Sequence, residues 1–353
     1  MQVDYLIIGQ GISGTWLSYF LRQEQKSFIV IDNQQPNAPS RLAAGIINPV
    51  TGRRHAEVWM ADELLPFVWD AYSQLGSELG INAISQKDVI DFFPSPQMRL
   101  SFQQRVDEKA AYVSIPGEEN NFRDQFNYDF GYGKINPVYT AHLETIIPAW
   151  QTHLQQEGVL LEEEFNLQEL HISSSHVRYK NIRADKIIFC DGAAGGNNPW
   201  FKNLPFAPNK GEALTLHIPD LPASNIYKKG LMLVPLATPE HWWIGSAYAW
   251  DFTDDKPTAE FRQKTEELLN SWLKVPFTIT GHLAGLRPAT LERRPFVGVH
   301  PLHTSVAILN GMGTKGCSLA PFFAKQLSDH LLYQKPIAAD ADINRFSRLL
   351  QRN

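Results

Sequence analysis

Val3-Asp4-Tyr5-Leu6-Ile7-Ile8-Gly9-Gln10-Gly11-Ile12-Ser13-Gly14 opens the stretch on which the fold of this chain turns, and Phe28-Ile29-Val30-Ile31-Asp32 closes it. A β-branched apolar run, a glycine turn, a helical pattern through Arg22 and a second apolar run tipped by an acid read as strand, turn, helix, strand. Each glycine has a steric task in such a unit. Gly9 permits the tight turn, Gly11 lets backbone approach a pyrophosphate, and Gly14 lets the helix lie close against the strand. The helix N-terminus turns its unbonded N–H groups toward the phosphates, and Asp32, about 20 residues on, is placed to hold ribose hydroxyls. The strand before the glycines, the helix after them and the acid at its distance separate this motif from a glycine turn that binds nothing. A dinucleotide site is therefore expected here.

At 353 residues the chain is long enough for two domains or one elaborated α/β unit. Its 43% hydrophobic and 20% charged residues are those of a globular protein, so disorder is excluded as a description of the whole. A net charge of −5 provides no basic footprint for nucleic acid or an anionic membrane. Cys190 and Cys317 are too few for a disulfide framework and suit a reducing compartment. Asp4 and the glycine motif interrupt the apolar start too early for a leader or a membrane span. A cytoplasmic protein without a metal site is the expectation.

Beyond Asp32, residues 33–39 form a polar loop with two prolines. In residues 40–49 small residues crowd together, and Ala43-Ala44-Gly45 either backs onto a flat or bulky group or makes a packing contact. Val58, Leu64, Leu65, Val68, Trp69, Tyr72 and Leu75 recur at helical spacing, which predicts a helix over 55–79 with a kink or restart at Pro66. Arg53 and Arg54 at the start of that helix would oppose its dipole. They are either solvated or gain from an anion, a phosphate of the bound dinucleotide or a second carboxylate on a substrate. A strand is predicted over 88–93 and a polar helix or loop over 97–106. Residues 131–137, rich in Gly, Asn and Pro, predict a turn that starts an amphipathic helix of about 138–156, with a strand over 159–161.

Residues 186–195 repeat the pattern of apolar strand into glycine loop, with Cys190-Asp191-Gly192-Ala193 at the tip. The character then changes. Strand-like runs at 213–218, 231–236 and 242–247 indicate antiparallel sheet, followed by a helix over 258–273 and a strand over 277–283. A third glycine loop, Gly311-Met312-Gly313-Thr314-Lys315-Gly316, joins an apolar strand at 306–309 to a helix at 317–332, a further potential anion site.

Three glycine loops at strand ends exceed the needs of one nicotinamide site. Together with Ala284-Gly285-Leu286-Arg287-Pro288-Ala289-Thr290-Leu291-Glu292-Arg293-Arg294-Pro295-Phe296-Val297-Gly298, then Asn310-Gly311 and Leu319-Ala320-Pro321, they give the chain its identification. It resembles the D-amino-acid oxidase superfamily of FAD-dependent amine oxidoreductases, and within it the glycine oxidases most. The resemblance covers nearly the whole chain. It implies an α/β fold in which an FAD-binding Rossmann-like (GR2-type) domain, discontinuous over 1–80, 137–210 and 282–353, carries a second α+β substrate domain, 81–136 and 211–281, built on an antiparallel sheet. It implies FAD contacts from Gly9, Gly11, Ile12, Ser13, Gly14, Asp32, Asn33, Ser40, Arg41, Ala43, Ala44, Gly45, Ile46, Leu167, Asp191, Gly192, Ala193, Arg287, Gly311, Gly313, Thr314, Lys315 and Gly316.

By matching position Arg287 takes the substrate carboxylate, for which a planar guanidinium is suited. Tyr248 and Trp250 either wall the substrate or fill the core. The chain departs from the family pattern at Pro235-Leu236, Glu292, Met312 and Lys315, so substrate identity does not transfer. No cysteine stands at the position of covalent attachment, and noncovalent FAD is expected. The implied activity is oxidation of a small amino acid or secondary amine, with O2 or another electron acceptor, no nucleic acid and no membrane span. The alternatives are oxidation of a modified tRNA base and flavin binding without turnover.

Overall fold

The strand predicted over residues 3–8 runs Gln2–Ile8 in the computed structural model, which describes residues 1–117 and 121–351. Both its edges are occupied, by Phe28–Ile31 on one side and Ile182–Phe189 on the other. Leu160–Leu161 extends the sheet beyond the first, and Val306–Asn310 beyond the second. All five strands run parallel. Their registers set Ile8 opposite both Ile31 and Phe189, and Phe189 opposite Ile308, so three of the longer strands end together and Val306–Asn310 runs two residues further. Phe28–Ile31 is buried at every position, as expected of a parallel strand covered on both faces. Leu6, Ile8, Ile31, Ile187, Phe189 and Ile308 share one core cluster, each contributing about 1.5–3 kcal/mol by full burial. The helices Ile12–Gln23 and Gly316–Tyr333 pack against each other in the same unit, which comprises residues 1–41, 144–209 and 286–353.

Residues 42–143 and 210–285 form the second unit. Its sheet runs in the order Thr278–Arg287, Asn209–His217, His241–Gly245, Leu231–Pro235, Asn225–Lys229, Ile84–Phe92, Tyr132–Ala141, Ile46–Ile47, with Val113–Ser114 also on Tyr132–Ala141. From Asn209–His217 onward each pairing is antiparallel except that between Asn225–Lys229 and Ile84–Phe92. An aromatic core of Phe92, Phe126, Tyr132, Tyr227, Trp242 and Trp272 lies on it.

Several sequence expectations are corrected here. Residues 131–137 do not turn into a helix. All but Gly131 belong to the strand Tyr132–Ala141, because Ile84–Phe92 and Val113–Ser114 pair with it, and the helix begins only at Leu143. No helix spans residues 55–60. Val50–Thr51 and Ala56–Glu57 form a hairpin, and the helix is Ala61–Leu79, with Asp62 and Glu63 in its first turn and Pro66 accommodated inside it. The two compact units change over at 41/42, 143/144, 209/210 and 285/286. Within the second, Ile46 and Ile47 pair with Thr140 and Tyr139.

Candidate functional site

Parallel strands that end within two residues of one another present their following loops along one edge, and the first unit places its three glycine loops and Asp32 there. Gly9 has φ +100°, and a Cβ on it would lie 2.5 Å from the Cys190 carbonyl oxygen. A Cβ on Gly14 would lie 1.8 Å from the Gly9 oxygen, so the helix can sit this close to the turn only with glycine there. The helix Ile12–Gln23 starts at Gly11 with no side-chain cap and no acid in its first turn, and the helix Gly316–Tyr333 starts in the same way. A Cβ on Gly316 would stand 3.3 Å from Ile12 Cγ2, so the two helix starts adjoin. Each carries roughly half a positive charge.

Ile12 N–H donates to Ser40 Oγ at 2.9 Å, and Ser40 Oγ also faces the open side of Gly11, 3.1 Å from a Cβ built there. Ser40 thus takes one of the helix-start donors, and Ser13 and Gly14 continue that first turn. Asp32 is aimed by backbone: Gln10 N–H donates to Oδ2 and Gln34 N–H to Oδ1, both at 2.7 Å. Asn33 beside it is exposed, Arg41 donates to Gln151 Oε1 at 3.2 Å, and Leu167 is exposed on the short 3-10 turn Leu167–Glu169.

The second and third glycine loops are braced to each other. Asp191 accepts from Asn310 Nδ2 at 2.8 Å through Oδ1 and from Asn198 Nδ2 at 3.1 Å through Oδ2. Burial pushes its carboxyl up to about 6, against the opposing effect of both asparagines. Asn310 Nδ2 also donates to the Gly192 carbonyl at 2.9 Å, next to Ala193. Gly311 has φ +77°, and Gly313 N–H donates to the Pro288 carbonyl at 3.0 Å, which ties the glycine loop to the turn that follows Arg287. Arg287 itself donates from Nη1 to Asn209 Oδ1 at 2.7 Å. Lys315 follows Thr314 in the loop. Burial, then the positive charges of Arg294 and Arg293, push its ammonium down to about 8.

In the second unit Ala44 is buried, Ala43 exposed, and Gly45 has φ +74°. A Cβ on Gly45 would lie 1.8 Å from the Ala141 oxygen, so the packing reading accounts for this glycine, with Ile46 entering the sheet next to it. Tyr248 and Trp250 are 61% and 56% exposed, which excludes the core reading for both. Their loop is pinned at Ala249, which exchanges backbone hydrogen bonds with Lys210. Arg53 and Arg54 are exposed in the turn of the hairpin, and with no helix starting at residue 56 the dipole reason for an anion beside them falls away.

Sequence reasoning passed over several buried polar groups. His55 Nε2 lies 2.8 Å from Asp91 Oδ2, which also takes Lys228 Nζ at 2.7 Å. Glu212 accepts from His282 Nε2 at 3.0 Å, Thr258 N–H at 2.6 Å and Thr258 Oγ1 at 2.9 Å. Asn209, Asn198 and Asn310 were missed as well. Apart from Asn310, none sits in a local motif, and apart from Asn198, which bonds Asp191, their partners are distant in the chain. The one available signal was Asn310 directly before a recognised glycine loop.

Two adjoining helix starts free of acid, glycines that bring turn and helix together, and a backbone-aimed carboxylate are the donors and acceptor that a dinucleotide such as FAD requires. Among the described residues no three His, Cys, Asp or Glu stand together to hold a metal ion, and no helix is long and apolar enough to cross a membrane. The chain is 29% identical to a glycine oxidase of Pseudomonas aeruginosa, over 99% of its own length and 100% of that protein. Its fold matches crystal structures of glycine oxidase from Geobacillus kaustophilus, with TM-score 0.79, 17% identity and 100% and 99% of the two chains covered. It also matches iminodiacetate oxidase from Chelativorans sp. BNC1, with TM-score 0.78, 18% identity and 98% of each chain covered. Residues 4–330 match the DAO family model, described as FAD dependent oxidoreductase, and the chain belongs to that family.

Proposed function

We propose that this FAD-dependent oxidoreductase oxidises a small amino acid or secondary amine whose carboxylate is held by Arg287. The observation that carries the reading is the mounting of Arg287. Its guanidinium is fixed by Asn209, and the turn after it is bonded to the glycine loop through Gly313 N–H and the Pro288 carbonyl. A cation held in one orientation next to the expected flavin loop is what a carboxylate-bearing substrate needs. The relatives named for glycine and iminodiacetate, both amines with carboxylates, support the same class.

Gly9, Gly11, Gly14 and the start of the helix Ile12–Gln23 would hold the pyrophosphate, Asp32 a ribose, and the Asp191 and Gly311 loops the remainder of the FAD. When bound, FAD would supply the acceptor for the hydride, with its electron pair, that leaves the amine's α-carbon as the nitrogen loses a proton and the imine forms, which water then hydrolyses. Arg287 donates a fork of N–H groups to the carboxylate and so fixes the α-carbon. The uncapped start of Gly316–Tyr333 and the Lys315 ammonium put positive potential at the glycine loop, where negative charge would be stabilised. Tyr248 and Trp250, exposed on their loop, are available to a ligand. Anaerobic addition of an amine series, with loss of the flavin absorbance as readout, tests the reading. Carboxylated amines should bleach the band and their decarboxylated counterparts should not. Bleaching by none would leave a flavin-binding protein without turnover. Acid precipitation should release the flavin into the supernatant, as noncovalent attachment requires.

A further inference from the structure

Backbone pairing between two distant segments sets one side chain against Arg287. Leu291 N–H donates to the Pro205 carbonyl at 3.1 Å, Phe206 and Thr290 form an antiparallel bridge, and Ala207 N–H donates to the Ala289 carbonyl at 2.8 Å. Carried two residues further, this register places Asn209 opposite Arg287, where Oδ1 accepts from Nη1 at 2.7 Å. Asn209 is 1% exposed, so no water competes for that oxygen. Since a guanidinium has only donors, the bond also fixes which end of the amide faces it.

We infer that Asn209 is a positioning residue for substrate recognition: its amide oxygen orients the Arg287 guanidinium without neutralising it, and so sets the affinity for the substrate carboxylate. The inference rests on the assignment of Arg287 to that carboxylate. An aspartate at this position would hold the guanidinium at least as firmly, but its negative charge would pair with Arg287 and compete with the incoming carboxylate for it. An amide holds the geometry and leaves Arg287 with its full charge. An alanine would leave the charge but release the orientation.

The test uses the holoenzyme and titrates acetate, with acetamide as its uncharged counterpart, reading the perturbation of the bound flavin's visible spectrum. Asn209→Asp should weaken acetate about ten- to a hundredfold, the range of one hydrogen bond to a charged group, and leave acetamide within about twofold. Asn209→Ala should weaken acetate by a smaller factor, and Asn209→Ser, which restores a short acceptor, should recover part of it. With a carboxylated amine as substrate, these losses should fall on KM with kcat nearly unchanged. Flavin content equal to the parent confirms that the cofactor site is intact, and if Asn209→Ala does not fold, the isosteric Asn209→Asp carries the test. Acetate affinity unchanged in the Asn209 variants but lost in Arg287→Ala would overturn the role of Asn209 and leave Arg287 standing. Acetate affinity retained in Arg287→Ala, or a parent that binds acetate no better than acetamide, would overturn the assignment of Arg287 and the inference with it.

Discussion

Asp191→Asn should make this protein less sensitive to pH, and the size of the change follows from the site. The Asp191 carboxyl titrates at about 6 in the fold against 3.8 in a free chain, because burial penalises its charge more than Asn310 and Asn198 stabilise it. That displacement corresponds to about 3 kcal/mol. A carboxyl with a raised pKa binds its proton more tightly in the folded state. Below pH 3.8 both states are protonated and the contribution vanishes. Between 3.8 and about 6 stability falls as pH rises, and above 6 the whole penalty is present. The substituted amide carries no charge, so it escapes the penalty, but it presents a donor where Asp191 accepts from both asparagines, at about 0.5–1.5 kcal/mol. The variant should therefore be weaker than the parent by up to about 1 kcal/mol at pH 4 and stronger by about 1.5–2.5 kcal/mol at pH 7. Urea melts of both proteins across that range measure the difference directly, since the other titrating groups cancel. A difference that stays constant from pH 4 to pH 7 would refute the assignment of a half-buried Asp191 that ionises within that range.

Lys315→Met should remove a pH dependence of flavin binding. The ammonium titrates at about 8, so as a bare charge it costs stability below that pH, a cost relieved as pH rises toward 10.5. An anion beside it would favour the charged form, and the FAD dissociation constant of the parent should rise above pH 8 while that of the variant stays flat. Gly14→Ala puts a Cβ 1.8 Å from the Gly9 oxygen, where real contacts are not shorter than 3.0 Å. The helix must retreat by about 1.2 Å at a cost of about 1–3 kcal/mol. The purified variant should carry little flavin, and full occupancy would show that the cradle tolerates the shift. Asp91→Ala strips the shared acceptor from His55 and Lys228 and should cost about 3–5 kcal/mol in urea melts, more than Lys228→Met, because His55 is 1% exposed and has no water to replace it.

What the sequence made legible is what is local. The glycine fingerprint, the three strand-to-loop transitions and the hairpin of Leu231–Pro235 with His241–Gly245 each lie within a short stretch, and all stand in the structure. Residues 131–137 misled because Gly, Asn and Pro carry turn propensity, whereas pairing along both edges holds this segment extended. The basic pair Arg53-Arg54 drew attention by charge, yet the fold exposes both and buries the neighbouring His55 against Asp91. Asn209 was invisible for a different reason. Its role depends on a register between residues 205–209 and 287–291, and no local pattern encodes which asparagine will face which arginine.

The order of strands in the parallel sheet has a consequence for synthesis. Gln2–Ile8 is made first, but its partner Ile182–Phe189 emerges some 180 residues later, and that strand waits in turn for Val306–Asn310. During translation the buried edge of a β-branched strand stays open for about half of the chain's length, the condition under which nascent chains associate with one another or are held by chaperones. Such long-range parallel pairing also makes folding slow. A chain released before residue 306 should therefore be recovered as aggregate, and pulse-labelled full-length protein should gain protease resistance only after release from the ribosome.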